Sequence, residues 1–204
     1  MDNQIDSQIT YSDRTFEGTR QDRAQIVGCT FYDCVLVRCN FIESVLRGCK
    51  FVRCLFRQCD LSLSQVMGTS FTSTQFEDCK LIGIDWTQAH WSETRLVSPV
   101  GFLQCAISHS TFIGLDLTEI RIEDCVAVDV DFREANLTRA VFAGSDLANS
   151  IFGNTNLTEA DLSRAHNYWI DPGRCTLRQA KFSLPEAMSL LYAMDITLVD
   201  TENA

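Results

Sequence analysis

Proline is scarce in this chain, with 3 among 204 residues, and glycine accounts for only 10. That scarcity excludes collagen-like and Pro/Gly-rich disordered classes, and the ordinary apolar content argues for a packed core. Histidine is nearly absent. His90, His109 and His166 share no spacing with the ten cysteines, so no metal-ligand set is expected. No apolar run is long enough to cross a membrane as a helix. The opening "MDNQIDSQITYSDR" lacks the apolar stretch of a signal peptide, so the cytoplasm is the expected compartment and the cysteines are expected to stay reduced. Positive charge is also short. Lys and Arg number 17 against 27 Asp and Glu, a formal net charge of -10, which disfavours binding to nucleic-acid phosphates and allows a basic partner. There is no Gly-rich phosphate loop, no H-E-x-x-H and no nucleophile elbow. Neither catalysis nor a cofactor is expected.

A five-residue beat is present instead. In "CTFYDCVLVRCNF" the large apolar residues Phe31, Leu36 and Phe41 each follow a cysteine by two positions. The beat continues through Leu46, Phe51, Phe56, Leu61, Val66, Phe71, Phe76, Leu81, Trp86, Trp91 and Leu96, and backward through Ile26 to Phe16 and Tyr11, with Gln21 its polar exception. After a slip of one residue it resumes at Phe102 and runs to Leu162. All 13 Phe of the chain occupy this central position, Phe182 included. Helices repeat near 3.6 and strands at 2, so a period of five needs a backbone that turns a corner in every repeat. All 10 cysteines stand two residues before a centre, where Ala, Ser and Thr otherwise alternate. Cysteine at that position reads as a small inward side chain. Ile84, Leu115, Ile120 and Val130 are large at the small position, Ala127 is a small centre, and Trp86 and Trp91 are bulky ones. Either local distortion or compensating volume accounts for them, and compensation is the expectation.

"ANLTRAVFAGSDLANSIFGNTNLTEADLSRA" (135–165) resembles the A-(D/N)-L-x-x consensus of the pentapeptide-repeat proteins. The resemblance implies an all-β fold, a right-handed quadrilateral β-helix with four repeats per coil. Reading every twentieth residue supplies a core column, Phe31, Phe51, Phe71, Trp91, Phe112, Phe132 and Phe152, which stays aromatic if the slip near 97–101 adds one residue around Pro99 without changing face order. About eight coils at strand spacing make a rod of roughly 35–40 Å. The expected organisation is an N-terminal tail or cap over 1–10, the β-helix over 11–182, and a C-terminal helix and tail over 183–204.

Within "SLPEAMSLLYAM" (183–194), Ser183 and Glu186 match a capping box and Pro185 a first turn, so a helix is expected, followed by a short strand at 195–199. Its role is either a cap on the open solenoid end or a homodimer seam through Leu184, Met188, Leu191 and Met194; apolar residues around the whole helix favour the seam. Charge is uneven along the chain. Residues 31–60 carry Asp33, Glu43 and Asp60 against Arg38, Arg47, Lys50, Arg53 and Arg57. Residues 110–162 carry ten acids against Arg121, Arg133 and Arg139.

The resemblance is to the topoisomerase-directed branch of the family, the Qnr-type quinolone-resistance proteins and the microcin and albicidin immunity proteins, with "FSLPEA" (182–187) similar to the albicidin-immunity ending. It implies a DNA-mimicking rod that occupies the basic DNA-binding saddle of gyrase or topoisomerase IV and protects the enzyme from a poison or inhibits it. The acids near the expected two-fold axis, chiefly Asp116, Asp129, Asp131, Glu134, Asp146 and Asp161, are expected to carry that contact. A one-residue slip leaves no room for the projecting loops of Qnr-type members, which sets the chain nearer the immunity proteins. A structural scaffold with an unrelated protein partner is the alternative.

Overall fold

The computed structural model of the chain describes residues 4–91 and 100–199. Three-residue parallel strands and tight turns wind a right-handed quadrilateral β-helix of about eight coils. Strand pairing advances by twenty residues per coil: Tyr11 pairs with Phe31, Phe31 with Phe51, and Phe51 with Phe71. The second face is the most continuous. It pairs Thr15–Glu17 through Val35–Val37, Leu55–Arg57, Gln75–Glu77 and Gly101–Leu103 to Arg121–Glu123.

The local reason for the five-residue period is visible in the backbone. The residue two after nearly every centre adopts a left-handed conformation, as at Asp33, Glu43, Asp129 and Glu134, and so turns the corner; Gln88, in the 3-10 turn at Trp86, does not. On many faces the residue before the centre is Asp or Asn, and its carboxylate or amide oxygen accepts the N–H two residues on. Asn40, Asp60, Asp116, Asp131, Asp146 and Asp161 all do this. The Asp/Asn of the repeat is thus a turn-maker before it is anything else.

The centres form the core. Phe16, Phe56, Phe76, Phe112, Phe132 and Phe142 are fully buried. Gln21, the polar exception, is buried too, because its amide donates to the Ile5 carbonyl of the N-terminal segment that closes that end (3.3 Å). The large residues at small positions, Ile84, Ile120 and Val130, are buried, Leu115 partly so, and the neighbouring bridges Asp85–Thr111 and Asp131–Ile151 hold their register.

The spacing across the middle of the rod corrects one expectation. Gln75 pairs with Gly101, Lys80 with Ala106 and Asp85 with Thr111, each 26 residues apart instead of twenty. The His90 N–H still bonds the Thr69 carbonyl as in earlier coils (2.8 Å), so six extra residues lie between Trp91 and Gly101. Six is one repeat plus one, which is why counting in fives reads as a slip of one. Most of this stretch, including Leu96 and Pro99, lies outside the described residues. The face order shifts in consequence. Phe112 stands over Trp86, not Trp91, with rings 5.7 Å apart and nearly parallel. The single aromatic column is two stacks: Tyr11, Phe31, Phe51 and Phe71 on the first face, and Trp86, Phe112, Phe132 and Phe152 on the fourth. An edge contact between Phe71 and Trp86 (5.5 Å) joins them. Phe71 and Trp91 are only partly buried, and the Trp91 indole donates to the Trp86 carbonyl (2.8 Å).

The inward small position has a chemical logic beyond size. Nine of the ten cysteines are buried, Cys175 partly, and all are unpaired. The Cys59 thiol donates to the Leu36 carbonyl on the preceding coil (3.3 Å) and accepts the Cys39 N–H (3.4 Å). Cys39, Cys49, Cys54, Cys79, Cys105 and Cys125 donate likewise to the centres below them. Thr69, Thr74 and Ser145 do the same with hydroxyls. Where the coil below turns tightly, its central carbonyl already accepts a backbone N–H. Leu117 accepts from Ile120, Leu137 from Ala140 and Phe142 from Ser145, and the residues above them are Ala140, Ala160 and Ala165. Three residues break the rule: Thr155 donates to the Phe132 carbonyl (2.9 Å) although that oxygen already accepts the Ala135 N–H (3.2 Å), and two serines find no acceptor. Ser44 and Ser64 sit over Gln21 and Phe41, whose carbonyls are taken by Ala24 and Ser44, and both hydroxyls lack a partner. Ser64→Ala is therefore expected to raise stability by about 1 kcal/mol, whereas Cys59→Ala, which leaves the buried Cys39 N–H without its thiol acceptor, should cost about 1–3 kcal/mol. Denaturant midpoints check both; a loss on Ser64→Ala as large as on Cys59→Ala would refute the pairing rule.

Burial pushes the Cys49 and Cys54 thiols up to about 11. Cys79 and Cys105 rise to about 12, chiefly through the thiol of the next coil. The folded chain thus holds protons that an unfolded chain releases near the ordinary 9.0. Stability should be intact below pH 9 and fall as pH rises above it. A disulfide-exchange reagent at pH 8 should label the native thiols slowly and the unfolded ones quickly, and rapid native labelling would defeat the inward ladder.

Candidate functional site: an acidic surface and an apolar end

The six carboxylates expected to face a partner do not converge on one face. Asp116 lies on the first, Asp161 on the second, Asp146 on the third and Asp131 on the fourth; Asp129 and Glu134 stand at corners. All but Asp131, Asp146 and Asp161 are well exposed, and those three are half-buried. Four of the six spend one oxygen on a turn. Asp116 starts a polar ladder: it accepts the Thr118 hydroxyl (2.6 Å) and the Asn136 amide (3.0 Å), and Asn156 in turn donates to Asn136 (3.2 Å). Asp131 is clasped by Arg133 (2.6 Å). Burial pushes its carboxyl up, but the Arg133 hydrogen bonds outweigh that and hold it below the usual carboxylate value. Asp161 behaves alike, with burial offset by hydrogen bonds from Ser163, and Lys181 lies 3.8 Å away. Asp129 and Asp146 face His109 (3.6 Å) and His166 (4.0 Å).

The basic half is also internally matched. Arg53 pairs with Asp33 (2.6 Å) and Arg57 with Glu77 (2.8 Å). These pairs are exposed and worth little to stability, about 0–1 kcal/mol each. Over residues 163–182 the balance turns, because Arg164, Arg174, Arg178 and Lys181 stand there against Asp171 alone. The acidic stretch is therefore a belt that stops short of the C-terminal end.

The C-terminal elements depart from the sequence expectation. The helix (α1) spans only Met188–Ala193, and its N-cap Ala187 makes no side-chain bond. Ser183 and Glu186 do not form a capping box. Ser183 accepts the Arg164 N–H (3.2 Å) and Glu186 the Asn167 N–H (2.5 Å), fastening the segment to the open last coil, whose unpaired amides compete for these acceptors. Residues 195–199 form no strand. The coil ladder reaches Asp161–Lys181 and Leu162–Phe182. Leu190 packs on the core, and Leu184 (80 % exposed), Met188, Leu191 and Met194 point outward. Tyr192, Ile196, Val199 and Trp169 are exposed apolar residues as well. Sequence periodicity missed those four, since none belongs to the helical stripe.

Among the described residues no group of His, Cys, Asp and Glu is placed to hold a metal ion, and no helix is long and apolar enough to cross a membrane. A four-sided parallel solenoid with one corner per five residues defines the class of protein. A family profile described as "Pentapeptide repeat region" matches residues 29–99 and 84–162, and the chain belongs to that family. Among solved structures, a trypsin-treated variant of QnrB1, a plasmid-mediated fluoroquinolone resistance protein, aligns at 17 % identity with a TM-score of 0.64, covering 93 % of this chain and 100 % of that one. A second trypsin-treated QnrB1 variant aligns at 18 % identity with a TM-score of 0.55, covering 95 % and 99 %. No curated protein matches the chain.

Proposed function

We infer that the chain is a non-enzymatic, cytoplasmic, DNA-mimicking protein that binds a type II topoisomerase, gyrase in the first place, and alters its response to a poison. The observation that carries this reading is the acidic belt of residues 110–162 wound on a rod that aligns end to end with QnrB1, described as a fluoroquinolone resistance protein. A negative rod suits a surface built to attract phosphates. The extra six residues between Trp91 and Gly101 remove the ground for setting the chain apart from loop-bearing members, so protection from a fluoroquinolone is the first activity to test. The test is gyrase supercoiling with a fluoroquinolone, and in parallel with albicidin, in the presence and absence of the protein. Recovery of supercoiling supports the reading. No effect on gyrase with or without drug overturns it, and the scaffold alternative takes its place.

The same reading includes a homodimer through the C-terminal end. Leu184, Met188, Leu191 and Met194 form an exposed apolar surface that isologous pairing would bury. Leu191→Glu with Met194→Glu should give a monomer of unchanged thermal midpoint, because a charge at a two-fold seam is buried twice. Sedimentation decides it, and a parent chain that is already monomeric leaves the segment as a cap alone.

A further inference from the structure

The third face differs from the other three in what it lacks. On the coils centred at Ile107, Ala127 and Leu147 its outward pairs are Ala106 and Ser108, Val126 and Val128, and Asp146 and Ala148. None is longer than valine or aspartate. Val126 is 49 % exposed. Exposed Asp124 and Asp129 stand at the corners on either side. Among the described residues this strip holds no Lys or Arg; in its columns and corners the flanking cations are Lys80 one coil before it and Arg164 at its far end. The neighbouring faces of the same coils each carry a paired arginine: Arg121–Glu123 on the second, Arg133–Asp131 on the fourth, and Arg139–Glu119 at the edge of the first.

We propose that this third face, from Ala106 to Ala148, is the surface on which the rod docks, and that it takes a protein patch presenting Lys or Arg around a small apolar centre. The proposal rests on the topoisomerase reading and assigns the patch to gyrase's basic DNA-binding surface. Three physical reasons single the face out. Its short side chains let a partner approach the coil backbone without ordering long flexible groups. Its carboxylates are engaged by no Arg or Lys, and among basic groups Asp129 and Asp146 face only the imidazoles of His109 (3.6 Å) and His166 (4.0 Å), so a partner's cations meet them without displacing a guanidinium or ammonium. Its exposed valine offers apolar area to the centre of a contact whose rim is polar. A second copy of the chain is the less suitable occupant, since self-pairing would set Asp124, Asp129 and Asp146 against their own images.

The experiment places one guanidinium on each of two faces. Val126→Arg and Ala148→Arg alter the third face; Ile113→Arg and Ile151→Arg alter exposed positions of the fourth. Each full-length variant is titrated against gyrase at fixed salt, with its thermal midpoint and sedimentation recorded. Third-face variants should lose about tenfold or more in affinity, and fourth-face variants less than about threefold. Should an arginine on the third face lower the thermal midpoint, the triple change Asp124→Asn, Asp129→Asn and Asp146→Asn, which keeps side-chain size, replaces it with the same expected loss. Equal losses on both faces, or none on the third, overturn the assignment while leaving gyrase binding intact. A change confined to sedimentation makes a second copy the occupant and also overturns it. A parent chain that does not bind gyrase at all fails the functional reading itself.

Discussion

Phe112→Ala and Phe132→Ala will each lower the unfolding free energy by about 3–5 kcal/mol, the cost of truncating a fully buried aromatic ring that leaves a cavity. Both rings are fully buried. Phe112 lies between Trp86 (5.7 Å) and Phe132 (5.4 Å), and Phe132 stacks in turn on Phe152 (5.3 Å). Each also meets a second-face ring edge-on, Phe102 for one and Phe142 for the other. A solenoid coil touches only its neighbours, so a cavity in one coil weakens two interfaces. The six-residue insertion adds a sharper expectation. Phe112→Ala should be coupled to Trp86→Phe and not to Trp91→Phe in a double-mutant cycle, because the ring beneath Phe112 is Trp86. Denaturant melts measure both. Near-neutral midpoints, or coupling to Trp91 alone, would show the face assignment to be wrong.

The beat was legible because every centre meets the same environment. Phe16, Leu36, Phe76 and Leu147 all point to one axis and are fully buried, so the apolar requirement recurs without exception wherever the coil is closed. Gln21 broke the pattern where the coil is covered by the Ile5 segment, and nothing within the repeat announces that contact. The insertion was not legible, because six residues leave the count in fives displaced by one and Leu96 falls on the beat by chance. Register in a parallel ladder is a property of two chain segments together. The end of the solenoid was misread for a related reason. Ser183 and Glu186 have the spacing of a capping box, yet the bare amides of Arg164 and Asn167 are closer claimants for their oxygens. Local propensity gave way to a tertiary contact.

The acids show a different limit. Their number along 110–162 is plain in the sequence, but their placement around four faces is not, and neither is the turn-making duty of Asp116, Asp131, Asp146 and Asp161. A charge selected for a partner and a charge retained for a turn look identical in one dimension. Only the uncharged homologue of the side chain separates them, because Asn accepts the same turn hydrogen bond, as Asn136 and Asn156 do within this chain.

Replacing Asp116, Asp129, Asp131, Asp146 and Asp161 with Asn, and Glu134 with Gln, should abolish most gyrase binding and protection while leaving the thermal midpoint nearly unchanged. At the four turn positions Asn keeps the acceptor for the N–H two residues on. At the Asp129 corner, where φ is 56°, Asn is among the residues best suited to the left-handed region. The Arg133 and Lys181 pairs are lost, but exposed pairs of this kind contribute about 0–1 kcal/mol each. The fold therefore tolerates what the interface should not. Removing six negative charges from the belt weakens a long-range attraction, so the association rate should fall more than the dissociation rate rises. Salt should reproduce the effect on the parent chain. Above physiological ionic strength the screening length drops below about 8 Å, and affinity should fall steeply. Reversing Arg47, Lys50, Arg53 and Arg57 should matter less, since they lie before the belt and two of them already serve Asp33 and Glu77. Gyrase titrations across salt, with the parent, the neutralised belt and the reversed basic cluster, distinguish the cases. Binding that survives both high salt and the neutralised belt would remove DNA mimicry as the mechanism, and with it the reason for an acidic rod.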